Sequence, residues 1–67
     1  MIEIITKDDC VECKRVKSLF DNAGIKYKEI NLADYDIQKL IDNGIMWLPV
    51  IIKNGEFTSQ QEVLRSI

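Results

Sequence analysis

Apolar positions along the chain alternate between the spacing of a strand and the spacing of a helix. Apolar residues fill most of residues 2–6, which predicts a short first strand. The next segment carries an apolar stripe at i, i+3, i+4, i+7 spacing, made of Val16, Leu19, Phe20 and Ala23. This stripe predicts a helix over residues 10–23 with one face turned to a core. Gly24 is well placed to end that helix, because glycine takes the left-handed conformation of a helix C-terminus without strain.

The middle of the chain predicts a second strand followed by a second helix. Residues 26–32 have the composition of a strand, and their charges suit the edge of a sheet. A strand, a helix and a strand in succession imply a right-handed crossover and a parallel strand pair. We expect the second helix over residues 34–43, ended by Gly44. The residues expected on its inward face are Ile37, Leu40 and Ile41.

The segment after Pro49 has the pattern of a hairpin followed by a short helix. Residues 50–53 and 56–58 flank Asn54-Gly55, a pair that suits the positive backbone angles of a type I′ turn. Ser59 opens a capping box for a last helix. The residues expected on the inward side of that helix are Val63, Leu64 and Ile67. The chain is therefore predicted as an α/β fold in the order β-α-β-α-β-β-α, a four-stranded mixed sheet flanked by three helices.

Length and composition fit one small globular domain spanning residues 1–67. The chain is 46% hydrophobic and 30% charged, with a formal net charge of −2 at pH 7. This balance is unlike that of a basic nucleic-acid-binding domain, so we expect no nucleic-acid partner. We find no apolar run long enough to span a membrane and no charged-then-apolar leader. We therefore expect no membrane association and a cytoplasmic location.

Both cysteines of the chain lie in one segment, Asp8-Asp9-Cys10-Val11-Glu12-Cys13. At the start of a helix, residues three apart have Cβ atoms about 5–6 Å apart, close enough for a disulfide. The unpaired amides and the dipole of a helix start favour a thiolate, and thiol pKa values in Cys-x-x-Cys settings fall to roughly 3.5–7.5. We therefore predict that Cys10 is the attacking thiolate and that Cys13 is the more buried, resolving thiol.

A Cys-x-x-Cys segment between a strand and a helix is typical of a redox motif, and three other interpretations stay open. The pair can be incidental. It can hold a metal, but the chain has no histidine and no second cysteine pair, so a four-ligand zinc site needs carboxylates or a second subunit. We therefore expect no metal. The domain can also be a non-enzymatic interaction module that uses its cysteines only as a redox-sensitive latch.

The chain resembles glutaredoxins over nearly its full length. The resemblance is carried by Thr6-Lys7, by the cysteine pair at a helix start, and by Leu48-Pro49-Val50 ahead of an Asn-Gly hairpin. It is greatest to the small glutaredoxin-like redoxins of the NrdH type, which often have a valine after the first cysteine and serve ribonucleotide reductase. The resemblance implies a thioredoxin-like fold with the first strand between the second and third. It also implies a cis Pro49 facing the cysteines and thiol-disulfide oxidoreductase activity without a bound cofactor.

The resemblance leaves open whether glutathione or thioredoxin reductase is the electron donor. It implies disulfide-containing proteins or glutathione-mixed disulfides as substrates. Val11 and Glu12 stand where glutaredoxins usually have proline and an aromatic residue, and residues 57–60 lack the Gly-Gly pair that helps to hold the glutathione carboxylate. Lys7 can still meet a carboxylate, and Ser59 can form a substitute anion site or be a plain helix cap. The candidate residues for binding substrate or glutathione are Lys7, Val11, Glu12, Leu48, Pro49 and Ser59.

Trp47 has both a structural and a functional interpretation. It is expected either as a lid over the core or, with Met46 and Leu48, as an apolar rim where partner proteins dock. A set of basic residues in the first helix is expected to be its solvated face or to steer an acidic partner: Lys14, Arg15 and Lys17. No motif indicates dimerisation, and we expect a monomer.

Overall fold

The computed structural model describes residues 1–65 and has the predicted alternation of strands and helices. The strands are β1 (Ile2–Thr6), β2 (Tyr27–Asn31), β3 (Val50–Lys53) and β4 (Glu56–Thr58). The helices are α1 (Val11–Asn22), α2 (Ile37–Asp42) and α3 (Gln60–Arg65), with a 3₁₀ turn at Leu32–Asp34. Within the described residues the strands form a sheet in the order β2-β1-β3-β4. The predicted α/β fold, with β1 between β2 and β3, is confirmed.

The pairing of β1 with its two neighbours sets the position of the site. β1 runs parallel to β2, with Ile5 opposite Ile30, and antiparallel to β3, with Ile5 opposite Val50. Because β1 and β3 run in opposite directions, the end of β1 and the start of β3 lie at the same end of the sheet. The loop to Cys10 leaves from that end and Pro49 enters there.

The core lies on both faces of the sheet, because successive strand residues point to opposite sides. One cluster joins the sheet to α1 and α3 and contains Ile4, Val16, Phe20, Ile51 and Val63. The other joins the sheet to α2 and contains Ile5, Leu40, Val50 and Ile52. The sheet is therefore covered on one face by α1 and α3 and on the other by α2.

Helix α1 buries a narrower stripe than its sequence pattern predicts. Val16 and Phe20 are buried as expected, but Leu19 is 40% exposed and Ala23 is also exposed. The helix rests on the sheet along one line of contacts, and Cys13 completes that line in place of the two outer positions. Gly24 follows the helix with φ +73°, as its role at the C-terminus requires.

Helix α2 begins later than predicted and covers less of the core. Its N-cap is Asp36, whose Oδ1 accepts a hydrogen bond from the Gln38 amide at 3.1 Å. Leu40 is buried, but the prediction that Ile37 and Ile41 face inward is wrong, because they are 52% and 61% exposed. A helix of six residues contacts the sheet through a single turn, so the flanking isoleucines remain at the surface.

The hairpin and the last helix follow their sequence signals. Asn54 and Gly55 both have positive φ, 52° and 85°, as the predicted turn requires. The Oγ of Ser59 accepts a hydrogen bond from the Glu62 amide at 3.3 Å, which makes Ser59 the cap of α3. Val63 is buried as predicted. The expected inward position of Ile67 lies outside the described residues.

Candidate active site

Cys10 and Cys13 lie at the start of α1, joined as a disulfide with their Cα atoms 5.2 Å apart. Cys10 is the N-cap residue, in an extended conformation, and its Sγ accepts a hydrogen bond from the Cys13 amide at 3.1 Å. The first amides of a helix have no carbonyl partner within the helix, so this amide is free to face the sulfur. After reduction the same amide can stabilise negative charge on Cys10 Sγ.

The two sulfurs differ in their access to solvent. Cys13 is 1% exposed, which confirms that it is the more buried of the pair. Cys10 is half-buried, and the neighbouring Val11 is 71% exposed. An incoming disulfide therefore meets Cys10 first, and Cys13 lies behind it in position to attack the Cys10 sulfur.

A groove of about 280 Å³, which we call the active-site groove, lies between Pro49 and the first turn of α1. The Leu48-Pro49 peptide bond is cis, as the resemblance to glutaredoxins implied. The predicted binding residues that line the groove are Glu12, Leu48, Pro49 and Ser59. Lys7 and Val11 are exposed outside it, although the Lys7 carbonyl accepts a hydrogen bond from the Cys10 amide at 3.2 Å and so holds the loop.

The groove contains an acidic residue and has no basic counterpart within the described part of the chain. Glu12 lines it, and among residues 1–65 no lysine or arginine does. Arg15 lies 3.6 Å from the Glu12 carboxylate, in a pair that is more than half exposed on both sides. The Ser59 hydroxyl already accepts the amide hydrogen that caps α3. Apart from Glu12, the groove is lined by apolar residues and by uncharged polar residues of the segment 58–61, so its charge is weakly acidic.

Trp47 lies at the surface beside this groove. It is 64% exposed and Met46 is 92% exposed, so the interpretation of Trp47 as a lid over the core is wrong. Ile45 and Leu48 pack against the α2 side of the core and hold the loop by its two ends, which leaves the residues between them outside. Trp47 and Leu48 line the groove next to Pro49, and with Met46 they form the predicted apolar rim.

A polar cluster next to the active-site loop was not predicted from the sequence. Thr6 is 3% exposed, and its Oγ1 donates a hydrogen bond to Glu29 Oε2 at 2.8 Å. Lys17 Nζ donates to the same oxygen at 2.7 Å, and together these hydrogen bonds lower the pKa of the Glu29 carboxyl. Lys14 and Arg15 are solvated as expected, but Lys17 is not, because it joins α1 to β2. Apolar spacing carries no signal for such a contact.

Comparison with known proteins identifies the family. The family model of glutaredoxins matches residues 2–58, which include both cysteines and the cis proline. The chain belongs to the glutaredoxin family. It is a glutaredoxin-like thiol-disulfide oxidoreductase with a Cys10-Cys13 pair at disulfide distance.

Its relatives include small redoxins of the NrdH type. Glutaredoxin-like protein NrdH of Lactococcus lactis subsp. cremoris and that of Lactococcus lactis subsp. lactis are each 32% identical over 56 residues, covering 81% of this chain and 78% of theirs. The structure of NrdH-redoxin from Escherichia coli superposes with a TM-score of 0.81 at 29% identity, covering 96% of this chain and 91% of that one. A thioredoxin-like protein superposes with a TM-score of 0.73 at 25% identity, covering 98% and 97% of the two chains.

From the geometry of the pair we propose how this glutaredoxin exchanges thiols and disulfides. The Cys10 thiolate attacks one sulfur of a substrate disulfide, forms a mixed disulfide and releases the other substrate sulfur as a thiolate. The Cys13 thiolate then attacks Cys10 Sγ and releases the second substrate thiol, which leaves the Cys10-Cys13 disulfide seen in the structure. The substrate has gained two electrons, and an external dithiol restores the reduced pair by the reverse exchange.

Over residues 1–65, histidine, cysteine and acidic side chains form no group of three or more that could hold a metal ion. No helix within the same range is long and apolar enough to cross a membrane.

Proposed function

We propose that this glutaredoxin is a cytoplasmic redoxin that reduces protein disulfides with electrons from thioredoxin reductase, and that ribonucleotide reductase is its physiological acceptor. The observation that supports this most directly is the character of the groove beside the cysteines. Trp47 and Leu48 of the apolar rim line it together with Glu12, and Met46 is exposed directly before them in the chain. Such a groove favours an apolar segment of a protein over a small anionic thiol.

Glutathione fits this groove poorly on electrostatic grounds. It carries two carboxylates and a single ammonium at pH 7, so it is an anion. Glu12 repels an anion, and Lys7 lies outside the groove. The Ser59 hydroxyl is engaged in capping α3, and the Gly-Gly pair that glutaredoxins use for the glutathione carboxylate does not occur in residues 57–60. We therefore propose that neither glutathione nor glutathione-mixed disulfides are efficient substrates.

Protein substrates suit the exposed rim. Trp47 and Met46 are large apolar side chains that are mostly exposed to water, and Trp47 lines the same groove as Glu12, the residue between Val11 and Cys13. Exposed aromatic and methionine side chains are enriched at protein interfaces, where their burial stabilises the complex. The likeness to NrdH-redoxin from Escherichia coli, a glutaredoxin-like protein with a thioredoxin-like activity profile, supports thioredoxin reductase as the donor. The cytoplasm, where thiols are kept reduced, is the compartment that suits such a cycle.

The test is disulfide turnover with two electron supplies measured side by side. One supply is glutathione with glutathione reductase, the other is thioredoxin reductase with NADPH, and insulin serves as the protein disulfide. Cys10→Ser is the blank for both. We expect turnover with thioredoxin reductase and none above the blank with glutathione. Cys13→Ser should accumulate mixed disulfides through Cys10, because the resolving thiol is gone.

Two other outcomes would contradict this proposal. Efficient turnover with glutathione would show that the chain is a dithiol glutaredoxin in the usual sense, and Glu12→Gln should then increase that turnover by removing the repulsion. A folded protein that shows no disulfide turnover with either electron supply would favour the interaction module with a redox-sensitive latch. Reduction of ribonucleotide reductase is tested in the same assay, with its oxidised form in place of insulin.

A further inference from the structure

A second apolar groove, which we call the α2 groove, continues from the active-site groove across the surface of α2. It has a volume of about 480 Å³, within the range of ligand-binding clefts. Its lining includes Leu32, Ile37, Ile41, Met46, Trp47 and Leu48. The thiol chemistry described above does not use this groove.

The side chains of the α2 groove are exposed to an extent that core packing does not explain. Ile37 is 52% exposed, Ile41 is 61% exposed and Met46 is 92% exposed. Single exposed apolar residues are ordinary, but a contiguous apolar patch on a small protein marks an interaction surface. Ile37 and Ile41 lie on a short, solvated helix and Met46 lies in the loop that follows it, so none of the three is needed to close the sheet.

The α2 groove and the active-site groove share two residues. Trp47 and Leu48 line both of them, and Pro49 follows directly. A polypeptide that presents its disulfide to Cys10 across Pro49 therefore reaches the α2 groove with its neighbouring residues. A second copy of this chain is disfavoured as the occupant, because it would cover Trp47 and Leu48 and so obstruct the active site.

The charges near the α2 groove favour a basic occupant. Between Leu32 and Leu48 the chain carries three aspartates and one lysine, a net charge of −2. Asp34, Asp36 and Asp42 are all exposed. On the side of the cysteines, Asp8 is exposed as well, and its Oδ1 accepts a hydrogen bond from Asn31 Nδ2 at 3.5 Å. A substrate segment with lysine or arginine beside its apolar residues complements this surface.

We infer that the α2 groove is a specificity site for the protein substrate. It binds apolar side chains that lie near the reactive cysteine on a segment rich in basic residues. This inference rests on the proposed function, because it assumes that the chain reduces protein disulfides. It adds the class of disulfide that is preferred, one flanked by apolar and basic residues.

Synthetic disulfide peptides test the inference. All of them share one intramolecular disulfide. They differ in the tail, which consists of leucine and lysine, of serine and lysine, or of leucine and glutamate, or is absent. Each tail is tested both before and after the disulfide. We expect kcat/KM to be about tenfold higher for the Leu/Lys peptide than for the Ser/Lys peptide, since burial of one large apolar side chain is worth at least that much. The Leu/Glu peptide should be slower than the Leu/Lys peptide, and added salt should reduce the difference.

The decisive variant is the double substitution Ile37→Ser with Ile41→Ser. Both side chains are exposed, so the fold should tolerate it. We expect the preference for the Leu/Lys tail to fall below about twofold, while turnover of the tail-free peptide stays the same. Leu19→Ser is the matched control, because Leu19 is exposed on α1 and lines neither groove. It should keep the full preference.

Fluorescence gives a readout that does not depend on turnover. Trp47 is the single tryptophan of the chain and lies where the two grooves meet. Binding of a Leu/Lys peptide in which serine replaces both cysteines should shift the Trp47 emission of the wild type to the blue. The same peptide should cause no shift in the double variant. If the wild type turns over no peptide, the proposed function fails, but this titration still decides whether the α2 groove binds such a segment.

Three results would overturn the inference. The first is an unchanged tail preference in the double variant. The second is a double variant that loses only its rate of reduction by thioredoxin reductase, which would assign the α2 groove to the electron donor. The third is a dimer in sedimentation equilibrium at assay concentrations that the double variant abolishes, which would place a second copy in the α2 groove.

Discussion

Replacing Thr6 with valine tests the polar cluster that joins the end of β1 to β2 and α1. Thr6 is 3% exposed and lies 2.8 Å from Glu29 Oε2, so valine removes one hydrogen bond at nearly constant shape. Glu29 keeps its contact with Lys17 at 2.7 Å and stays accessible to water, so the substitution strands no buried charge. The experiment therefore measures the hydrogen bond itself.

The expected size follows from the charge and the exposure of the acceptor. A hydrogen bond to a charged group contributes about 1.5–3 kcal/mol when it is shielded from water. The Glu29 side chain is 46% exposed, so we expect solvent screening to reduce this to about 1 kcal/mol. For a domain of this size, a loss of that magnitude lowers Tm by roughly 4–8 °C.

The hydrogen bond also has a predictable dependence on pH. The hydrogen bonds from Lys17 and Thr6 hold the pKa of Glu29 below its ordinary value of 4.5. The stabilisation is therefore complete above about pH 4.5 and is lost as the pH falls through the lower pKa of the folded state. The cost of Thr6→Val should shrink over the same range, because a protonated carboxyl is a weaker acceptor.

The assay is urea unfolding of four proteins: wild type, Thr6→Val, Glu29→Met and the double variant. The coupling energy from this cycle cancels any gain from the added methyl group. We expect about 1 kcal/mol at pH 7, decreasing toward pH 2.5. A coupling below about 0.3 kcal/mol at pH 7, or one that does not change with pH, would refute the reasoning.

Three further predictions concern single side chains. Lys17→Met should lower the free energy of unfolding by about 0.5 kcal/mol, and urea unfolding in 1 M NaCl should show a smaller loss. Gly24→Ala should cost about 1 kcal/mol through its φ of +73° alone, because among the described residues no atom beyond the chain neighbours lies within 4 Å of the added Cβ. Gly24→Asn should cost less, because asparagine tolerates the left-handed conformation better. Ser59→Ala should cost about 1 kcal/mol through loss of the α3 cap and leave the KM for a disulfide substrate unchanged, whereas a raised KM would assign Ser59 to substrate binding.

The sequence predicted those elements that have strong local signals. The turn at Asn54-Gly55, the end of α1 at Gly24 and the strand at Val50–Lys53 depend on backbone conformation or on a continuous apolar run, and all three are confirmed. The predicted start of α2 at residue 34 is wrong, because Leu32–Asp34 form a 3₁₀ turn and the helix begins only after its N-cap, Asp36. Apolar spacing alone did not reveal how few turns of that helix reach the sheet.

In the candidate site too, features with a local sequence signal were predicted and features that depend on tertiary contacts were not. The positions of Cys10 and Cys13 follow from their spacing and from the helix that begins there. The exposure of Trp47 did not follow from sequence, because it depends on which neighbours in its loop are held by the core. The contact between Thr6 and Glu29 joins residues 23 positions apart, so no periodic pattern in the sequence predicts it.

The antiparallel pairing of Ile5 with Val50 makes the active site a product of complete folding. Cys10 and Pro49 are far apart in sequence, and the register of β1 against β3 brings their two segments to the same end of the sheet. A chain that ends before residue 46 keeps both cysteines but has neither the apolar rim nor the proline that forms the groove. Such a fragment, or a nascent chain still emerging from the ribosome, would carry thiols without the means to select their partners. Substrate selection therefore reports on native pairing of these two strands.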